Sequence, residues 1–175
     1  IHLGINELWL QKELRESPHP MPYILYVGNV KPHKNLRSLI KAFHDVSSEI
    51  PHDLIIVGKK EGFITGDSAV EKYAERLNSR VYFTGYVDDL LLKRYVSNAS
   101  MLVFPSLYEG FGFPPLEAMA SGCPVIVSNT AAMPELCQDA ALYCNPKDVG
   151  DIAEKIKLLA SDAELAKALT IKGES

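Results

Sequence analysis

Two glutamates separated by seven residues enclose a glycine-rich turn, Glu109-Gly110-Phe111-Gly112-Phe113-Pro114-Pro115-Leu116-Glu117. The apolar run Met101-Leu102-Val103-Phe104 comes before it, closed by Pro105, and helical spacing to about Ala120 comes after it. A turn between a strand and a helix leaves the N–H groups of the first helical turn without internal partners. Those donors, together with the helix dipole, attract phosphate. Gly110 and Gly112 are expected to let the backbone approach an anion with no Cβ in the way, and prolines are tolerated at a helix entrance. Two carboxylates beside a phosphate repel it by simple Coulomb interaction. They make sense as acceptors for hydroxyl groups on either side of the phosphate, as in a nucleotide sugar, with ribose hydroxyls on one side and sugar hydroxyls on the other.

A second cluster is Gly28-Asn29-Val30-Lys31-Pro32-His33-Lys34-Asn35, the turn following the run Tyr23-Ile24-Leu25-Tyr26-Val27. Lys31, His33 and Lys34 place three cation-forming side chains within four residues at a strand end, which suits a diphosphate. The five histidines lack metal-ligand spacing and no carboxylate cluster resembles a magnesium cage, so no bound metal is expected.

The elements that must position these clusters alternate along the chain. Strands are expected at Tyr23–Val27, Leu54–Val57, Val81–Phe83, Met101–Phe104, Pro124–Val127 and Ala141–Tyr143. Helical spacing links Leu36, Leu39, Ile40, Phe43 and Val46 up to about Ile50. A Ser68/Glu71 capping box opens a second helix with inner face Val70, Tyr73, Ala74 and Leu77. Asp88 or Asp89 caps a third, through Leu91, Leu92, Tyr95 and Val96, and two more helices close the chain, one near Asp148 and one at a Ser161/Glu164 capping box. Strands that are apolar throughout mean a sheet covered on both faces. The expected fold is therefore α/β, a three-layer doubly wound parallel sheet of Rossmann-like type with about six strands. Ligands bind such sheets beyond the carboxyl ends of the strands, here Gly28, Gly58, Gly85 and Pro105.

A chain of 175 residues fits one domain, with residues 23–175 in the sheet and residues 1–22 as an incoming interdomain linker. A net charge of −4 argues against nucleic acid or an anionic membrane surface as a partner. No apolar run approaches the roughly 20 residues of a membrane span. Cys123, Cys137 and Cys144 have no C-x-x-C spacing and read as reduced packing thiols of a cytoplasmic protein. The opening Ile1-His2-Leu3-Gly4 has neither an initiator Met nor a signal-peptide layout and reads as excised from something longer.

With these residues in hand, the chain resembles the C-terminal domain of a family 4 glycosyltransferase of the two-Rossmann-domain, GT-B type. The matching segments run in order. They are Tyr26-Val27-Gly28 with Lys34, Ile56-Val57-Gly58, Val81 to Val87, Phe104-Pro105-Ser106, and the turn from Glu109 to Ala120. Gly122-Cys123-Pro124-Val125-Ile126, Met133-Pro134-Glu135 and Asn145-Pro146 follow. Gly4-Ile5-Asn6 resembles the segment that enters the second domain. The resemblance implies a retaining transferase with a nucleoside-diphosphate sugar as donor and no cofactor. Lys34 and Glu109 would carry the catalytic roles, Lys34 on the diphosphate and Glu109 near the anomeric carbon. Gly110, Phe111, Gly112 and Phe113 would meet phosphates and sugar through their backbone, with Leu116 beside them, and Glu117 would accept from the ribose. Gly28, Asn29 and His33 would line the diphosphate side, and the loops after Gly58 and Gly85, with Val87, would border the base.

Asn29 departs from the pattern, because many relatives carry an arginine there. The P-H-K-N turn most resembles the mannosyltransferase branch, favouring GDP-mannose. A glycan or lipid-linked acceptor would be held by an N-terminal domain outside this sequence, through which any peripheral contact with the inner membrane face would run. The alternatives are a nucleotide-binding regulatory module without catalysis and half of a GT-B-like sugar-nucleotide epimerase. A Rossmann dehydrogenase fits poorly, since no G-x-G-x-x-G follows the first strand.

Overall fold

The computed structural model describes residues 6–11, 16–59, 73–77, 79–130 and 132–175. Six parallel strands form one sheet: β1 (Tyr23–Val27), β2 (Asp53–Val57), β3 (Val81–Gly85), β4 (Met101–Phe104), β5 (Val125–Ser128) and β6 (Ala141–Cys144). Their spatial order is β3-β2-β1-β4-β5-β6. The chain builds outward from β1 in one direction, then returns to β1's other side and builds the opposite way. The order therefore reverses between β1 and β4, the switch point where such sheets open a ligand crevice.

Side chains alternate between two buried layers, which is why the strands read as continuous apolar runs. Ile24, Tyr26, Leu54, Ile56, Met101, Val103 and Ile126 join one core with helices α2 (Leu36–Val46), α6 (Val149–Ser161) and α7 (Ala163–Glu174). Tyr23, Leu25, Ile55, Val57, Leu102, Phe104, Val125 and Val127 join the other. There they meet α3 (Asp89–Asn98), α4 (Phe113–Ala120) and α5 (Met133–Cys137). Each fully buried Leu or Ile contributes about 1.5–3 kcal/mol, so the two layers hold the strand ends, and the loops on them, in fixed register.

Several boundaries differ from the sequence reading. Helix α2 stops at Val46 rather than near Ile50. Strand β5 is shifted one residue, to Val125–Ser128. Asp88, not Asp89, caps α3 by accepting from Leu91 N at 2.8 Å. The Ser161/Glu164 box is wrong: Asp162 caps α7, accepting from Leu165 N at 2.9 Å, while Ser161 ends α6 and turns its hydroxyl back to Lys157 O. The Ser68/Glu71 box lies outside the described residues, which show helix at 73–76.

The stretch read as a linker is packed onto the domain where it is described. A short helix, α1 (Glu7–Leu10), buries Trp9 against the second core. Lys93 donates to Leu8 O and Gln11 O, and His19 Nε2 meets Asp53 Oδ2 at 2.6 Å. Arg80 holds the other Asp53 oxygen at 3.5 Å and donates to Ile50 O and His52 O.

Candidate active site at the β1/β4 crevice

The first wall is the turn leaving β1. Gly28 continues the ladder by donating to Val57 O at 2.9 Å, and Gly58 continues it to Gly85 O at 3.1 Å. A Cβ on Gly58 would stand 2.0 Å from Gly28 O, so only glycine lets the first turn cross over the end of β2. Beneath it, the buried Tyr26 phenol is held above its ordinary range by desolvation and by the nearby Glu109 carboxylate. The chain then makes a single 3₁₀ turn, Pro32–Lys34, closed by Lys34 N to Lys31 O at 3.0 Å.

Asn35 ends that turn in the left-handed conformation, at φ +60°, and is buried. Its side-chain amide donates to Pro105 O at 2.9 Å and to Pro146 O at 2.7 Å. One residue thus ties the β1 turn to the loops after β4 and β6. Leu107 N adds a bond to His33 O at 2.8 Å.

The second wall is the loop leaving β4. Ser128, at the end of β5, donates to Ser106 O at 2.7 Å; Ser106 in turn donates to Glu109 Oε1 at 2.9 Å. Lys34 Nζ reaches the same oxygen at 2.5 Å, with the Phe104 ring 5.4 Å beneath the ammonium. Glu109 and Lys34, assigned above to different ends of one ligand, are partners across the crevice. Their side chains are 9% and 19% exposed, so water screens the pair only partly.

The glycine turn revises two expectations. Helix α4 begins at Phe113 and its next two residues are prolines without N–H groups, while Leu116 N pairs with Gly112 O at 3.4 Å. The first helical turn therefore offers the Phe113 N–H alone. The remaining donors come from the loop: among the described residues, no hydrogen bond uses the N–H of Gly110, Phe111 or Gly112. Gly110 faces open space, as expected, but a Cβ on Gly112 would meet Met133 Cε at 2.4 Å. Packing beneath the loop therefore constrains Gly112.

Leu116 is buried in the core below the loop, and the Phe111 and Phe113 rings lie outside, 4.7 Å apart. Glu117 is half-buried on α4, and desolvation, reinforced by Asp89 on α3, holds its carboxyl above the ordinary range. Val87 packs against the second core after β3, and Asn29 is exposed. Asn35, Ser106, Ser128 and Met133 were not among the residues singled out for the site. A hydroxyl at or just beyond a strand end is the signal that could have found Ser106 and Ser128.

Fold and site together define a doubly wound α/β domain whose crevice pairs a lysine with a glutamate beside a glycine turn. The chain belongs to the family of glycosyl transferases group 1, whose model matches residues 9–175. It is 35% identical over 155 residues to O-antigen chain mannosyltransferase B of Escherichia coli, covering 86% of this chain and 40% of that protein. It is 39% identical over 149 residues to O-antigen chain mannosyltransferase RfbU of Salmonella typhimurium, covering 85% and 40%. Among solved structures it is similar to the C-terminal domain of a glycosyl transferase group 1 family protein from Francisella tularensis. That match has 25% identity and a TM-score of 0.78, over 88% of this chain and 84% of that one. The chain thus spans about two-fifths of the length of these curated relatives. No helix among the described residues is long and apolar enough to cross a membrane.

Proposed function

We propose that this chain is the donor-binding domain of a retaining glycosyltransferase. It would take a hexose, mannose favoured, from a nucleoside-diphosphate sugar for transfer to a glycan or lipid-linked acceptor. The observation that carries the reading is the Lys34–Glu109 pair at the switch point of the sheet, flanked by unengaged loop amides. The mannosyltransferases among the relatives support the choice of sugar.

In this reading the diphosphate enters between the two walls and takes Lys34 from Glu109. Lys34 and the amides of Gly110 to Phe113 face the phosphate oxygens, and Glu109, released, faces the sugar. The bond from the anomeric carbon to the β-phosphate oxygen breaks, and its electron pair leaves on that oxygen. The acceptor hydroxyl bonds to the anomeric carbon on the same face and gives its proton to the departing phosphate. Donors fixed in place favour the growing charge on the phosphates over the ground state. Positive character on the sugar ring is balanced by Glu109, which forms no covalent bond. Glu117 accepts from the ribose. The positive charge comes from Lys34 and the amides, so no metal is required.

Residues 1–22 lead in from an N-terminal domain that holds the acceptor and makes any membrane contact. The length of the relatives and the likeness to a solved C-terminal domain support this division. The buried, unpaired thiols Cys123, Cys137 and Cys144 support a cytoplasmic site. The deciding experiment titrates GDP, UDP and ADP by calorimetry and compares turnover of Glu109→Ala and Glu117→Ala in the intact enzyme. Glu109→Ala should lower kcat more than donor affinity, and Glu117→Ala mainly affinity. Failure of all three nucleotides to bind at millimolar concentration removes the donor-site reading, and wild-type turnover in Glu109→Ala removes that residue from the chemistry.

A further inference from the structure

Gly112 sits between two exposed aromatic residues, yet it is itself buried. Its backbone, at φ −99° and ψ 64°, lies outside the left-handed region that favours glycine, so conformation is not the reason for its type. The reason is Met133. A Cβ on Gly112 would meet Met133 Cε at 2.4 Å, Met133 Sδ at 3.1 Å and Leu136 Cδ1 at 3.6 Å. Met133 is the first residue of α5, only 1% exposed, and belongs to the core that also holds Leu116, Phe104 and Val127.

The thioether is therefore enclosed on the core side and pressed against the loop on the other. A thioether is adaptable when it has room, but one walled in by packed neighbours transmits displacement rather than absorbing it. The loop, with open space at Gly110 and, among the described residues, no hydrogen bond on the N–H of Gly110, Phe111 or Gly112, is the softer side of this contact.

We propose that Met133 is a positioning residue that sets the height of the Gly110–Phe113 amides and thereby the grip on the β-phosphate of a nucleoside diphosphate. The inference rests on the donor-site reading above and adds a residue that touches no ligand. Pushing the loop outward, or letting it sink, moves the donors away from the phosphate. The loss falls on the β-phosphate and leaves the base and ribose contacts alone.

The test compares GDP with GMP by calorimetry on the intact enzyme for wild type, Gly112→Ala, Met133→Ala and the double variant. In wild type GDP should bind more tightly than GMP. In Gly112→Ala that advantage should fall about tenfold, the size of one lost hydrogen bond to a charged group, with GMP nearly unchanged. In the double variant the new methyl occupies space left by the thioether, and the advantage should return to within about threefold of wild type. Gly112→Ala/Met133→Leu, which keeps most of the core volume but withdraws the Cε contact, should show the same recovery if Met133→Ala folds poorly.

Losses that simply add in the double variants, or equal losses for GDP and GMP, would overturn the positioning role while leaving the donor site standing. A wild type that binds neither nucleotide overturns both.

Discussion

Lys34 Nζ and Ser106 Oγ both converge on a single oxygen, Oε1 of Glu109, at 2.5 and 2.9 Å. The pair neutralises the carboxylate, and on the donor-site reading it keeps Glu109 from repelling an entering diphosphate and leaves one cation to be handed over. Removing Lys34 alone does two harms: a cation is lost, and an unpaired carboxylate stays in the crevice.

The double variant Lys34→Ala/Glu109→Ala should therefore bind GDP more tightly than Lys34→Ala. A coupling of about 0.5–3 kcal/mol is the range for residues in direct contact. Calorimetry on the four forms measures it, and strictly additive losses would mean the two side chains act independently.

Glu117 gives a pH dependence whose sign can be worked out. Burial, then Asp89, raises its pKa in the fold above the ordinary 4.5, so the folded state favours the protonated carboxyl. Stability from this group is present below 4.5 and is lost as pH rises through the raised value. Glu117→Gln should thus melt higher than wild type at neutral pH, with the advantage vanishing in acid. If Glu117 accepts from ribose hydroxyls as proposed, binding runs the other way, because that role suits the charged form. GDP affinity of wild type should fall as pH drops through the raised pKa. Asp89→Asn should move that limb to lower pH, and a limb unmoved by Asp89→Asn would remove Asp89 as a cause.

Asn35 separates backbone from side chain. Asn35→Gly keeps the left-handed turn and deprives Pro105 O and Pro146 O of their donor, at a cost of about 1–3 kcal/mol. Asn35→Ala adds the strain of a Cβ at positive φ, roughly 1–2 kcal/mol more. Urea unfolding should rank wild type above Gly and Gly above Ala. An Ala variant as stable as Gly would show that the turn relaxes out of the left-handed region.

His52, at the opposite end of the sheet, predicts acid sensitivity. It is buried, its Nδ1 has no partner among the described residues, and its pKa is lowered by burial and by Arg80 against a smaller opposing effect of Asp53. The unfolded chain takes up a proton near 6.5 that the fold resists, so stability falls as pH drops below 6.5. His52→Leu should lose less stability between pH 7.5 and 5.5 than wild type in urea titrations. Parallel losses would place the sensitivity elsewhere.

Metal independence is the simplest prediction. If Lys34 and the loop amides carry the charge, excess EDTA should leave turnover of the intact enzyme unchanged. Loss of activity restored by Mg²⁺ or Mn²⁺ would refute it.

All six strands could be read from sequence because the central strands are buried on both faces and read as near-continuous apolar runs, and β1 and β2 run straight into a glycine. The crevice followed from the same pattern, since ends of parallel strands gather loops. What could not be read was contact between loops distant in sequence. Nothing near Asn35 signals that its amide reaches Pro146, and nothing near Gly112 signals Met133 beneath it. The Ser161/Glu164 error has a local cause. Two possible caps are adjacent, and helix α6 runs through Ser161, leaving Asp162 as the first residue free to cap.

Gly28, Gly58 and Gly85 end three neighbouring strands, each at positive φ, joined by Gly28 N to Val57 O and Gly58 N to Gly85 O. That stretch of the crevice is paved with main chain alone. A Cβ is barred at Gly58 by Gly28 O, and all three glycines hold a backbone that L side chains rarely adopt, so substitution there is strained. On the donor-site reading, a change in the base or sugar accepted would fall to the fittings around it, such as Asn29, Lys59, Tyr86 and Val87, each next to or one step beyond a glycine. The same socket can thus be refitted for new ligands without being rebuilt.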